Sequence, residues 1–249
     1  MSTEKPTILL LPGAWHKADI YDAVADILRT QGYPVVTMKL LSTGGPLSTT
    51  VADDAEHIRQ VYLNDLVAKG KEVVVVMHSY AGIPGTECVK GIARKDLAAL
   101  GKQGGVVALI YISAFLIAAG QSAEATVPHG LEPAMTIDGD MTYPKTPRER
   151  FYNDLDDETA AKQIAELVHH AKPSFCTPLT YEAYRDVPSH YLICMQDGCF
   201  PVFLQRIMAA MPGEGLIRTH ECDAGHVPML SAPQAVADAI HAIATEPRG

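Results

Sequence analysis

Four short apolar runs rich in β-branched residues, Thr7–Leu11, Val73–Met77, Val106–Ile112 and Tyr191–Met195, constrain this chain more than any other feature. Runs that are continuously apolar, rather than alternating, suit strands buried on both faces. Two weaker runs lie at Val35–Met38 and Leu216–Glu221. Between them come stretches of helical period. Ile20–Gln31 places Ile20, Val24, Ile27 and Leu28 on one face, and Val51–Ala68 repeats Ile58, Val61 and Leu66 in the same manner. This alternation predicts an α/β fold: a mostly parallel sheet, right-handed crossovers and helices on both faces. No internal repeat or low-complexity tract is present, which excludes a solenoid.

The alternation breaks after Ile112, where about 75 residues rich in Pro, Thr, Asp and Glu precede the next strand, too many for an ordinary connection. We expect a single domain over residues 1–249 with a cap inserted at about 116–187. Within the cap, Asp156–His170 reads as a helix. Asp156, Asp157 and Glu158 suit the positive end of its dipole, and Pro173 lies beyond its end. The rest of the cap is expected to be short helices and loops. A further helix is expected at Pro233–Thr245.

The 249 residues are 47% hydrophobic and 20% charged, enough to bury one large core. The net charge of −9, with Lys and Arg scattered, leaves no footprint for a phosphate backbone or an anionic lipid surface, so nucleic acid and membrane are not expected partners. No apolar run approaches the ~20 residues that span a bilayer. The polar opening Met1 to Pro6 lacks the apolar core of a secretory signal, so the expected location is the cytoplasm. Cys88, Cys176, Cys194, Cys199 and Cys222 are odd in number and show neither C-x-x-C nor metal-ligand spacing, which argues against a disulfide framework or a zinc site. The acidic balance is compatible with a monomer or a homodimer.

The segment richest in chemistry follows the second strong strand: Val76-Met77-His78-Ser79-Tyr80-Ala81-Gly82. A serine between a buried strand and a helix projects from the C-terminal sheet edge, with a helix N-terminus behind it to favour negative charge. The residues two before and two after such a serine nearly touch, hence the usual G-x-S-x-G. Here Met77 and Ala81 stand in place of the two glycines, and Met77 must find room for a long side chain. An N-cap serine is the alternative reading of Ser79.

Two further segments fall in the order that an acyl-transfer triad needs in this setting, Ser, then Asp, then His. Asp197 follows the strand Tyr191–Met195 directly, although Asp197-Gly198 is also an ordinary turn dipeptide. His226 follows the last weak strand, in a loop from which it can reach Ser79. Glu221 and Asp223 are rival acids, but they lie too few residues before His226 to approach its far side. Leu11-Pro12-Gly13-Ala14-Trp15-His16 supplies a glycine turn past the first strand. The N–H groups of Ala14 and Tyr80 are the expected oxyanion donors. Trp15, His16, Tyr80, Phe115, Leu116, Phe175 and Tyr181 are candidates for the substrate wall, with core packing the alternative for each aromatic.

Together, Leu11 to His16, His78 to Gly82, Asp197 and Gly225 to Pro228 resemble the alpha/beta-hydrolase superfamily over nearly the whole chain. The resemblance is to its small branch of plant methyl esterases, hydroxynitrile lyases and related microbial and fungal esterase-like proteins. It implies the alpha/beta-hydrolase fold with an inserted helical cap, Ser79 as nucleophile, His226 as base, Asp197 as its orienter, and an apolar pocket shaped by the cap. Pro12 stands where the family commonly has histidine, a change that leaves the backbone donors unaffected. The hydroxynitrile lyases carry lysine after the catalytic histidine, where this chain has Val227, so cyanohydrin cleavage is disfavoured. Epoxide hydrolases and haloalkane dehalogenases use an aspartate nucleophile, where this chain has Ser79. The expectation is cleavage of a small ester or lactone through an acyl-enzyme, with no metal or organic cofactor implied. Non-hydrolytic use of the triad and a receptor with weak turnover are the competing readings.

Overall fold

The strongest apolar runs form the middle of a parallel sheet and the weaker ones form its edges. In the computed structural model, which describes residues 4–126 and 134–247, β1 (Thr7–Leu11), β2 (Val35–Thr37), β3 (Glu72–His78) and β4 (Gly105–Ile112) come first. Three short strands, β5 (Met135–Asp138), β6 (Met141–Pro144) and β7 (His170–Ala171), precede β8 (Ser189–Cys194) and β9 (Ile217–Cys222). The main sheet has the order β2-β1-β3-β4-β8-β9, all parallel. Every residue of β1, β4 and β8 is buried, as strands covered on both faces must be. Edge strand β9 carries exposed Arg218 and Glu221, charges that blunt an open edge.

The helices are α1 (Asp22–Thr30), α2 (Val51–Ile58), α3 (Asn64–Ala68), α4 (Gly82–Glu87), α5 (Arg94–Ala99) and α6 (Ala123–Thr126). They continue with α7 (Pro147–Arg150), α8 (Asp157–Glu166), α9 (Lys172–Cys176), α10 (Val202–Ala210), α11 (Pro228–Ser231) and α12 (Pro233–Ala244). α1 packs with α11 and α12, while α2 packs with α4. α1 buries Val24 and Leu28 from the apolar face read in the sequence. The expected helix Val51–Ala68 is α2 and α3 joined by a π-helical turn at Arg59–Leu63. It opens on a capping box in which Thr50 and Asp53 satisfy each other's backbone N–H groups. Among the described residues no helix is long and apolar enough to cross a membrane.

The segment between β4 and β8 is not helical throughout. It holds α6, α7, α8 and α9 together with the antiparallel sheet β5-β6-β7, where only short helices and loops were expected. The strands are only two to four residues long, and pairing rather than side-chain period defines them. Asp156 caps α8 by accepting from the Thr159 N–H at 2.9 Å. α8 ends at Glu166, four residues earlier than the sequence suggests, because Leu167 is extended and His170 enters β7.

Candidate active site

Five loops converge at the C-terminal edge of the sheet, where open α/β sheets place their ligands. They follow β1 (Gly13, Ala14), β3 (Ser79), β4 (Ser113), β8 (Asp197) and β9 (His226). Of the four described non-glycine residues with positive φ, three flank this edge: Trp15 (66°), Ser79 (53°) and Ser113 (40°). Such strain at the end of a strand re-aims the side chain over the sheet.

Ser79, His226 and Asp197 stand in one hydrogen-bonded line. Ser79 Oγ is 3.1 Å from His226 Nε2, and His226 Nδ1 is 2.9 Å from Asp197 Oδ2. Asp197 is bound by more than the imidazole. Its Oδ1 accepts from the N–H groups of Cys199 (2.6 Å) and Phe200 (2.7 Å). Its Oδ2 accepts from the Ser113 hydroxyl, which also lies 3.3 Å from His226 Nδ1. Gln205 Nε2, braced by the Cys194 and Phe200 carbonyls, reaches the same oxygen at 3.4 Å. Donors of this number offset the cost of burying the charge.

The elbow accommodates Met77 through a second glycine. A Cβ on Gly85, in α4, would lie 2.5 Å from Met77 Sδ and 2.6 Å from its Cγ, so the missing side chain there makes the room Met77 occupies. Gly82 lets α4 approach the loop after β4, since a Cβ there would lie 2.1 Å from the Phe115 carbonyl oxygen. A Cβ on Gly13 would lie 2.7 Å from Ser79 Cβ, so glycine brings the first loop against the serine. Ala14 follows Gly13 on that loop, and Tyr80 follows Ser79 in the 3-10 turn between β3 and α4.

His78 ties three of these loops together. Its Nδ1 accepts from the Gly13 N–H at 3.3 Å, so Nε2 carries the proton and donates to the His226 carbonyl at 2.8 Å. Burial, and then the neighbouring His226 and His16, hold its pKa well below 6.5, which keeps this tautomer neutral. His16 is lowered to about 4, chiefly by burial. It bridges the Ala14 carbonyl (2.8 Å) and the Tyr152 hydroxyl (2.9 Å). The Tyr80 hydroxyl donates to Asp54, which also accepts from the Ser42 N–H and hydroxyl. Burial raises Asp54 to about 6 against the lowering effect of the Ser42 bonds.

Aromatic rings surround the imidazole. Phe151 stacks on His226 at 5.3 Å, and Phe200 meets it edge-on at the same distance. Trp15 lies 5.7 Å from Phe151 and 5.6 Å from Phe175, with Nε1 donating to the Thr142 carbonyl. Phe115 packs on Phe200, and Phe175 packs on Tyr80. Leu116 is buried beside Phe115 in the chain. Tyr181 stands apart from this group. Its hydroxyl donates to Asp186, and its backbone N–H to Glu87. Sequence reasoning missed Ser113, His78, Gln205, Phe151, Tyr152 and Phe200. Ser113 had a usable signal, a polar residue just past a strong strand, as Ser79 is. The cap residues had none.

A groove of about 430 Å³ lies at the opposite end of the sheet, beside the first residues of β4 and β8. Its cations are paired, Lys95 with Asp186 and Arg218 with Glu246, so it presents no concentrated charge or nucleophile. Among the described residues no cluster of His, Cys, Asp and Glu could hold a metal ion.

Comparison with known proteins identifies the family and the fold. The model of the family described as "Alpha/beta hydrolase family" matches residues 8–239. Alpha/beta hydrolase nvfD of Aspergillus novofumigatus is 33% identical, over 97% of this chain and 98% of that protein. Pyrethroid hydrolase of Sphingobium wenxiniae is 26% identical, over 96% and 88%. The crystal structure of a pyrethroid hydrolase from Sphingobium faniae superposes with a TM-score of 0.76 at 25% identity, covering 97% of this chain and 98% of that one. The chain belongs to the alpha/beta hydrolase family.

Proposed function

We propose that the chain is a carboxylic ester hydrolase acting through an acyl-enzyme on Ser79. The observation that carries this is the unbroken line from Ser79 Oγ through His226 to Asp197, on an elbow whose serine is held at a positive φ. Ser79 attacks the ester carbonyl while His226 Nε2 takes its proton and Asp197 stabilises the imidazolium. The N–H groups of Ala14 and Tyr80 receive the oxyanion, each donor worth about 3 kcal/mol of barrier. His226 then protonates the leaving alcohol and activates water for release of the acid. No step requires a metal or an organic cofactor.

The substrate class we infer is a small, neutral, apolar ester or lactone. Support comes from the rings of Trp15, Phe115, Phe151, Phe175 and Phe200 around the site and from the pyrethroid hydrolases among the relatives. The room that Gly85 leaves for Met77 supports an intact elbow, and so favours hydrolysis over a receptor with weak turnover.

Intact-mass analysis after treatment with a small fluorophosphonate tests the reading. The native chain gains one adduct, Ser79→Ala gains none and His226→Ala reacts at least about a hundredfold more slowly. A folded native chain that gains no adduct overturns the acyl-enzyme. Hydrolysis in labelled water then places one solvent oxygen in the acid product. An unlabelled product would assign the triad to transfer or lyase chemistry instead.

A further inference from the structure

Four successive residues of the segment between β4 and β8, Phe151 to Asp154, touch three of the five loops at the site. The Phe151 ring lies on that of His226. Tyr152 binds His16, whose other ring nitrogen holds the Ala14 carbonyl. Nδ1 of His16 faces a carbonyl and so carries the proton, which makes the Tyr152 hydroxyl the donor to Nε2. Asn153 Nδ2 donates to the Gln196 carbonyl at 2.8 Å, next to Asp197. Asp154 Oδ2 accepts the Gly225 N–H at 2.5 Å, next to His226.

The two outer loops are shaped to receive this segment. A Cβ on Gly198 would lie 2.3 Å from the Glu149 carbonyl oxygen, and one on Gly225 would lie 2.6 Å from Asp154 Oδ1 and 2.7 Å from Asn153 Oδ1. Neither glycine has a positive φ, so close approach and not backbone freedom is what requires glycine at both. The same loops are tied to each other, Gln196 N–H to the Ala224 carbonyl and Gln196 Nε2 to Asp223, each below 3 Å. Asp154 Oδ1 is buried with no hydrogen-bond partner among the described residues. A half-buried carboxylate whose one enclosed oxygen is left unsatisfied points to a role in placing Gly225 more than to one in stability.

We propose that Asn153 and Asp154 are positioning residues. They hold the loop of the acid and the loop of the base at the spacing that Ser79 needs, so that seating of this segment is a condition for activation of the serine. The proposal rests on the acyl-enzyme reading above. Neither residue touches substrate; both act through the backbone beside Asp197 and His226.

The test is the second-order rate of fluorophosphonate labelling, read by intact mass, for the native chain, Asn153→Ala, Asp154→Ala and Asp154→Asn, each with its thermal unfolding curve. Displacement of a reacting group by less than an ångström slows the reaction by between about 10- and 100-fold, and that is the expected effect of Asp154→Ala. Asp154→Asn keeps an oxygen for the Gly225 N–H and should return to within a few-fold of the native rate. Asn153 is exposed, so Asn153→Ala folds and should label several-fold more slowly than native. For any ester turned over, kcat falls with KM unchanged. Asn153→Ala and folded Asp154→Ala both labelling at the native rate would overturn the proposal, and if Asp154→Ala does not fold, native-rate labelling of Asn153→Ala alone would do so. So would slowing that follows the unfolded fraction alone, since a purely structural contact acts that way. A native chain that fails to label overturns the acyl-enzyme reading itself, which separates the two failures.

Discussion

At the scale of single residues, Ser113 shows how much of the candidate site lies outside the line of Ser79, His226 and Asp197. Its hydroxyl donates to Asp197 Oδ2, and it is fully buried with a positive φ. The Asp197 oxygen that faces His226 then has two donors besides the imidazole, Ser113 and the more distant Gln205 at 3.4 Å. Ser113→Ala removes the nearer donor and leaves a buried anion short of one bond, worth about 1.5–3 kcal/mol for a bond to a charged group. We expect labelling of Ser79 and kcat to fall about tenfold or more, with KM unchanged because Ser113 acts through the acid. A folded variant with native kinetics would show that the Cys199 and Phe200 N–H groups suffice to hold Asp197.

At the scale of elements, the turn from β3 into α4 trades one glycine for another. The usual glycine two residues before the nucleophile is Met77, and the space it would have left is supplied by Gly85 from the far side. Gly85→Ala therefore overpacks the buried Met77 side chain, at a cost of about 1–3 kcal/mol. Pairing it with Met77→Ala should recover most of that loss. Urea unfolding of the single and double variants measures the coupling, and additive losses would show that the two side chains do not compete for one space.

At the scale of the whole molecule, buried ionisable groups give the stability a pH dependence of two opposing signs. Asp54 joins α2 to the elbow through Tyr80, and burial lifts its carboxyl from 3.8 to about 6. Below pH 3.8 the group is protonated in both folded and unfolded chains. Between that value and about 6 the unfolded chain ionises while the folded chain keeps the proton, so this contribution falls as pH rises. The full cost stands above pH 6, at roughly 3 kcal/mol. His16 and His170 act the other way. Burial depresses them to about 4 and about 3, so the unfolded chain takes up their protons first and stability falls as pH drops below 6.5. Asp54→Asn keeps the bonds from Ser42 and Tyr80, because both hydroxyls can reverse. Relative to native it should gain stability above pH 6 and lose that gain by pH 4. Unfolding free energies of the two chains at several pH values measure this, and parallel curves would refute it.

The sequence by itself determined the layers and the candidate residues of the site. β-branched runs buried on both faces could only be inner strands of a parallel sheet, and such a sheet places the loop after each strand at one edge. Ser79, Asp197 and His226 were legible because each lies within four residues of the C-terminal end of a strand. The runs at Val35 and Leu216 read weakly because they form the edge strands β2 and β9, which are less buried. What only the tertiary structure decided was everything that depends on approach between distant segments. The sheet β5-β6-β7 had no period to reveal it, being held by pairing alone. Tyr181 was drawn away by Asp186. The room for Met77, the bridge made by His78, and the seating of Glu149 to Asp154 against Gly198 and Gly225 are set by distances across the fold. Local sequence fixes which way a chain segment turns, whereas packing fixes which segments meet.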